Sequence, residues 1–403
     1  MRILFLSTWF PYPPDNGSKL RVYHLLRALG SRHEVTLLSF AFGTARSDCA
    51  TAVDAFCRDV QVVAVDPFAV NQASALATFL SARPMESRRI AAMSQLVAAE
   101  LQCRSYDVVI ASTDMMACYA LAPRSRSVKI LEEHNSMVGW TRAHYQGADR
   151  LSQRVRSWAS WQKRRWYESR EYRHFDLITM VSEADRAATM ATVGQHRVRV
   201  EVVPNGVDCA HNRPGLATCQ PNVLVFNGAL TYSINFDAIQ YFLREVFPLV
   251  KQRCPEVRLT VTGSLKDVDT DALLLDSSVT LTDFVEDVRV PVSQAAICVV
   301  PLRDGSGTRL KVLEAMALGT PVVATPKGAE GLDVVDGKHL LLAGDPESFA
   351  RCILRLLDDP SLRMRLAANA RRLVEQHYDW EPIGGRFVDL VEEEVNDRRR
   401  DTA

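Results

Sequence analysis

The chain has 403 residues, and its 48 lysines and arginines are matched by 48 aspartates and glutamates, so the formal charge is zero at pH 7. That length is too great for one ordinary domain and suits two, each burying its own core. A balanced charge excludes a bulk field that would gather nucleic acid or acidic polymers, so any electrostatic work is local.

Nine cysteines, an odd number with no C-x-x-C pair among them, read as reduced thiols of a cytoplasmic protein and not as a zinc site. No uninterrupted apolar stretch reaches the length of a membrane span, which leaves at most peripheral contact at the inner membrane surface. The opening run RILFLST (2–8) reads as a first strand, followed by prolines where a signal peptide would keep its cleavage site.

DNGSKLR then places Gly17 ahead of a helix starting near Ser18, and a glycine there lets backbone approach a ligand closely. Lys19 follows it, and the alternative is a plain turn glycine. Further short apolar runs come at 33–40, 60–66, 107–112, 128–133, 176–182 and 198–204, with amphipathic segments between them. This alternation predicts an α/β fold of parallel sheets covered by helices on both faces.

ILEEHNSMVGW (130–140) ends one buried strand with Glu132, Glu133, His134 and Asn135. Paired acids beside a histidine suit acid–base or metal work, but the spacing is not that of a metalloprotease helix. Glu133, on the opposite strand face, reads as structural. The predicted helix 151–174 carries Leu151, Val155, Trp158 and Trp166 on one face and Arg156, Lys163 and Arg170 on another. It reads either as a core helix with a solvated back or as a peripheral contact with anionic lipid.

NGVDCAHNRPGLATCQPN (205–222) has linker composition, and a second series of apolar runs follows at 222–228, 257–263, 278–283, 295–302, 321–325 and 338–344. VDTD (268–271) has the D-x-D spacing of a metal–diphosphate site but lies in a polar connection and reads as a solvated turn. Beyond residue 346 the tail reads as helical, with a break at 358–360.

The most informative stretch is AAICVVPLRD followed by GSGTRLKVLEAM (305–316): a buried strand, a glycine loop and a helix expected to begin near Thr308. Gly305, Ser306, Gly307 and Thr308 would present backbone N–H groups and the positive end of a helix dipole to a phosphate. The third glycine of a dinucleotide fingerprint is missing, since Leu310 stands there. Arg309 and Lys311 in a first turn oppose the dipole unless an anion lies between them. Glu314, one turn further in, needs partners, which a ribose diol or an ion pair with Lys311 would supply.

These residues carry a resemblance. PLRDGSGTRLKVLEAMALGTPVVAT, with EVVPNGVD (201–208), RLVEQHYDW (372–380) and the N-terminal NGSKLRVYHLLRALGSRHEVTLLS, resembles the large retaining glycosyltransferase family numbered four, on the GT-B fold. The resemblance implies two Rossmann-like doubly wound domains facing a central cleft. Residues 1–205 would bind acceptor, 206–375 a nucleotide sugar, and 376–403 would cross back as a helix.

The implied donor is a UDP-sugar first and a GDP-sugar second. The implied acceptor is a hydroxyl of a glycan, lipid-linked or small molecule, and no metal is needed. On the donor side the resemblance implies Gly17, Gly228, Gly305, Ser306, Gly307, Thr308, Leu313 and Glu314, with Glu314 on the ribose. It implies His134 beside the donor sugar; Arg309 and Lys311, read from the loop and helix start, join it as catalytic candidates, with Lys19 and Asn135 on the acceptor side.

Two departures stand out: Ser306 occupies the place of the family's first glutamate, and Ala229 stands where many members carry an arginine on the diphosphate. Arg309 and Lys311 are the candidates to replace that charge. The alternatives are an epimerase of the same architecture, a nucleotide-sugar-binding protein without catalysis and, against the loop pattern, a nicotinamide enzyme.

Overall fold

A computed structural model describes residues 1–42, 52–69, 89–121, 126–194, 198–305 and 307–402. The chain divides into two compact units, Met1–Pro204 with Ile383–Ala403, and Asn205–Pro382.

The first unit is built on a seven-stranded parallel sheet in the order β3-β2-β1-β4-β5-β6-β7. Its strands are β1 Arg2–Ser7, β2 Glu34–Phe40, β3 Asp59–Val63, β4 Val108–Ser112, β5 Val128–Glu132, β6 Leu177–Met180 and β7 Arg199–Val202. Its helices are α1 Gly17–Gly30, α2 Ala91–Cys103, α3 Asp114–Ala120, α4 Met137–Gln146, α5 Leu151–Glu171 and α6 Glu183–Val193. Central strands β1 and β4 are apolar almost throughout and buried, because parallel strands covered by helices have no wet face. Helix α1 starts where the Asn16 side chain accepts from the Lys19 backbone N–H, satisfying one of the orphan donors of its first turn.

The second unit repeats the plan with six parallel strands in the order β10-β9-β8-β11-β12-β13. They are β8 Gln220–Asn227, β9 Arg258–Thr262, β10 Val279–Leu281, β11 Ala295–Val300, β12 Val322–Ala324 and β13 Leu341–Leu342. Helices α7 Ser233–Tyr241, α8 Phe247–Arg253, α9 Arg289–Gln294, α10 Leu310–Ala317, α11 Pro346–Asp358 and α12 Pro360–His377 surround it. Phe226, Ile297, Val299, Leu313, Phe349 and Leu366 are among the side chains that fill its core.

The last helix, α13 Trp380–Thr402, starts at the end of the second unit and from Ile383 onward belongs to the first. Ile383, Phe387, Val391 and Val395 form its buried row. Gly384 packs so closely on α1 that a Cβ there would stand 2.7 Å from the Ala28 Cβ.

Each sheet reverses direction of growth once, between β1 and β4 and between β8 and β11, and open parallel sheets bind ligands beyond the carboxyl ends of the strands at that point. The chemistry-bearing residues of both units gather there. Among the described residues no helix is long and apolar enough to cross a membrane.

Candidate functional site

In the second unit, β8 ends in Asn227 and Gly228, and β11 runs into the glycine loop. Helix α10 begins at Leu310 and not near Thr308, so Arg309 is its cap residue and Lys311 alone of the two bases lies in the first turn. Lys311 reaches back across the switch point. Its Nζ donates to Asn235 Oδ1 at 2.8 Å and lies 4.2 Å from the centre of the Phe226 ring, a cation–π contact.

Asn235 is itself fixed, donating to the Ala229 carbonyl at 2.9 Å. Gly228 makes this approach possible, since a Cβ there would fall 2.6 Å from the Lys311 Nζ. One turn further along α10, Glu314 Oε2 accepts from Asn227 Nδ2 at 3.2 Å. The Lys311 ion pair considered for Glu314 from the sequence is thus replaced by an amide hydrogen bond.

Lys311 and Glu314 each keep part of their surface exposed but are enclosed deeply enough to lose most hydration. Burial lowers the Lys311 ammonium to about 8 and raises the Glu314 carboxyl to about 7, the neighbouring Lys311 charge only partly offsetting the latter. A cation and an acid poised near neutrality at a switch point are what an incoming anion with hydroxyl groups would bias.

Arg309 does something else. Its Nη2 donates to the Gly305 carbonyl at 2.9 Å and its Nε to the Lys327 carbonyl at 3.1 Å, with Glu330 at 3.6 Å. The guanidinium is a buried brace for the glycine loop. Gly305 and Gly307 have φ of +105° and +83°, conformations that favour glycine. The Gly305 N–H is already taken by Asp304 Oδ1 at 2.6 Å, whereas no described residue bonds the buried Thr308 Oγ1.

The Leu313 side chain is fully buried in the apolar core. Ser306 lies outside the described residues. The D-x-D pair forms a turn in which Asp269 accepts from the Asp271 N–H, and no metal-binding group of acids, histidines or cysteines occurs among the described residues.

In the first unit the strand ends converge on Glu132, which is completely buried at the end of β5. One carboxylate oxygen accepts from Arg21 Nε and the other from Ser112 Oγ at 2.7 Å. His134 Nε2 stands 3.2 Å from that second oxygen, and its Nδ1 stands 3.1 Å from Ser18 Oγ, beside Gly17 at the start of α1. A carboxylate can only accept, so the pairing places a proton on Nε2 and turns Nδ1 toward Ser18. Burial alone would raise the Glu132 pKa, but Arg21, His134 and Ser112 together hold it well below the usual carboxylate range.

Lys19 is not a free cation: its Nζ pairs with Asp15 Oδ1 at 2.9 Å. Asn135 is partly exposed in the turn before α4, and Gly17 is exposed. Glu133 accepts from Tyr172 Oη and sits among the buried Asp114, Arg164 and Glu168, as a structural residue does.

The structure therefore joins Gly228, Gly305, Arg309, Lys311 and Glu314 in one cluster, and Gly17 and His134 in another. Sequence reasoning passed over Phe226, Asn227 and Asn235 in the first, and Arg21 and Ser112 in the second, where Glu132 was noted as one of two acids beside His134 and Ser18 only as the start of a helix. A polar residue closing an apolar strand was the signal available for Asn227.

Two protein-family models match the chain: "Glycosyltransferase Family 4" over residues 16–211 and "Glycosyl transferases group 1" over residues 221–359. A 44.6 kDa protein of the cps region of Klebsiella pneumoniae is 22% identical over 392 residues, which is 94% of this chain and 96% of that one. A GDP-mannose-dependent monoacylated phosphatidylinositol monomannoside mannosyltransferase of Corynebacterium glutamicum is 25% identical over 244 residues, 54% of this chain and 62% of that one. The crystal structure of Anabaena HepE with UDP superposes with a TM-score of 0.68 at 17% identity, over 98% of this chain and 100% of that one. Two matched models spanning most of the chain, and a fold shared with such enzymes, lead to one statement: the chain belongs to the group 1 glycosyltransferases, family 4, of the GT-B fold.

Proposed function

We propose that the enzyme transfers a sugar from a nucleoside diphosphate to a hydroxyl acceptor with retention of anomeric configuration and without a metal. The carrying observation is the Lys311 ammonium, held by Asn235 and Phe226 at the switch point one helical turn from Glu314.

In the reaction, the bond from the anomeric carbon to the β-phosphate oxygen breaks and the acceptor oxygen bonds to the same face. The acceptor proton passes to the departing phosphate, and the nucleoside diphosphate leaves. The burden is the charge growing on that diphosphate. Lys311 supplies the compensating charge, taking the part a divalent ion would otherwise play, with the loop Gly305–Thr308 beside it and Arg309 holding that loop in shape. Glu314 receives the ribose hydroxyls, and Asn227 orients it.

The first unit contributes His134, its ring fixed by Glu132, together with Gly17; Lys19 and Asn135 are proposed on the acceptor side. UDP is the first candidate nucleotide, supported by the UDP complex of the Anabaena protein; GDP is the second, supported by the GDP-mannose-dependent relative.

Glu314→Ala is expected to weaken binding of the matching nucleoside diphosphate about 10- to 100-fold, the loss of charge-assisted hydrogen bonds to a diol. Calorimetric titration of UDP and GDP in EDTA checks it. Unchanged affinity would remove Glu314 from the nucleoside site, and binding only with added divalent ion would overturn the metal-independent reading.

A further inference from the structure

Helix α5 is buried the wrong way round for an amphipathic helix on a protein core. Its buried residues are Arg164, Tyr167 and Glu168, with Arg164 paired to Asp114 at 2.6 Å and to Glu168 at 3.1 Å. Opposite them, Leu151, Val155, Trp158 and Trp166 follow one another along a single line, and they are 78%, 60%, 48% and 48% exposed. A soluble helix normally turns that row inward. Two tryptophans and two aliphatic residues in one exposed row are not the scattered single apolar residues that any surface carries.

Charge flanks the row on both sides. From residue 137 to residue 174 the sequence has nine lysines and arginines against three acids, in a chain whose total is balanced. Arg154 and Arg165 border the stripe on one side, and Arg156 and Arg170 on the other, all four exposed. The Arg170 guanidinium lies 5.5 Å from the Trp166 ring centre and that of Arg154 5.6 Å from the Tyr145 ring, so bases and aromatics form one layer. Of the three acids, Glu168 is buried with Arg164, Glu171 lies 3.8 Å from Arg170 and Asp149 is exposed, so outside the buried pair eight bases face two acids and the surface stays positive.

We propose that this face of α5 is a docking surface for an anionic lipid bilayer, the row Leu151–Val155–Trp158–Trp166 entering the interfacial layer while the flanking arginines pair with lipid phosphates. Tryptophan and arginine suit that depth, the ring at the headgroup boundary and the guanidinium on the phosphate. A second copy of the chain fits less well, because a two-fold contact through the stripe would bring the arginine borders together. A nucleic acid would need the bases at the centre of the contact, where the leucine, valine and tryptophans stand. The proposal is independent of which sugar or acceptor the enzyme uses.

The test is flotation of the full chain with vesicles of phosphatidylcholine alone and of phosphatidylcholine with phosphatidylglycerol, each at low and high salt. The expected result is association with the anionic vesicles at least about tenfold stronger than with neutral ones, weakening with salt, at roughly fivefold per engaged base. The Trp158→Ser/Trp166→Ser variant should lose about tenfold or more of that association with unchanged circular dichroism and melting temperature. An Arg154→Gln/Arg165→Gln variant should lose anionic selectivity while keeping the fold.

Equal binding to both vesicle types, no binding to either, or full binding by the tryptophan variant would each overturn the proposal. So would sedimentation showing a dimer that the tryptophan variant dissolves, without vesicle binding, or capture by an oligonucleotide in place of anionic vesicles. Because the readout is flotation and not transfer, a failure here leaves the glycosyltransferase reading untouched.

Discussion

Replacing Lys311 by alanine is expected to lower turnover by about a hundredfold to a thousandfold, the usual consequence of removing one preorganised group that faces developing charge. The ammonium is already positioned by Asn235 and the Phe226 ring, so little reorganisation accompanies the reaction, and partial desolvation makes each unit of charge count for more than it would in water. A turnover loss exceeding the loss in KM would mark an interaction made mainly in the transition state. The measurement is release of nucleoside diphosphate from UDP- and GDP-hexoses with and without a hydroxyl acceptor.

The same lysine gives the pH dependence a sign. Burial depresses its pKa to about 8, so the free enzyme loses the cation as pH rises through that value, and diphosphate affinity should fall about tenfold per unit above it. Glu314, raised to about 7, loses its charge as pH falls through neutrality, which weakens the ribose contact on the acid side. Lys311→Arg should abolish the alkaline limb while leaving the acid one. Turnover of Lys311→Ala within threefold of the parent, or an alkaline limb that survives Lys311→Arg, would assign the charge to another group.

The second large effect falls on stability. Arg21→Ala leaves the Glu132 carboxylate fully buried with its strongest partner gone, and breaking a buried pair in this way typically costs about 3–5 kcal/mol. Glu132→Gln should cost less if the amide keeps the Ser112 contact, but it should alter the His134 ring, which then faces a neutral partner. Because the folded-state pKa of Glu132 is depressed, its contribution is fully present above the unfolded carboxylate value, begins to fall below it and is lost only as pH falls through the depressed folded-state value. Denaturant melts at pH 7 and pH 4 check this: the gap between parent and Glu132→Gln should narrow at the lower pH. A gap independent of pH would mean that the charge of Glu132 does not matter to the fold.

Much of the architecture was legible because parallel strands buried on both faces leave continuous apolar runs. NVLVFNG, AAICVVPL and DVVIAS each coincide with a central strand for that reason. The stretch 205–222, read as a linker, lies inside the second unit, which begins at Asn205, and its last three residues open β8. Helix ends were less legible: the start of α10 slipped from Thr308 to Leu310 because Gly305 and Gly307 adopt positive φ and hold the chain out of the helix longer.

Side-chain partners at long range were not legible at all. Nothing local to Lys311 says that it will meet Asn235, 76 residues earlier, or that Glu314 will meet Asn227, 87 residues earlier. These pairs arise only when β8 and β11 become neighbours. Arg309 is a further case. Its position beside a glycine loop suggested an anion partner, and nothing local told that its guanidinium would also donate to the Gly305 carbonyl of that loop and to the distant Lys327 carbonyl. The helix 151–174 could be read either way from its wheel, since a row of Leu151, Val155, Trp158 and Trp166 looks like a core face until the buried side proves to be the Arg164–Asp114–Glu168 ion pairs.

The most direct test of the central claim, that the second unit grips a nucleoside diphosphate through the Lys311 charge, is calorimetric titration of UDP and GDP in EDTA into the parent chain and into Lys311→Ala. At pH 7.5 the parent should bind one of the two nucleotides, and the variant should bind it at least tenfold more weakly, with the difference shrinking at pH 9 as the parent loses its own cation. Equal affinity of parent and variant at pH 7.5, or no binding of either nucleotide by the parent, would contradict it.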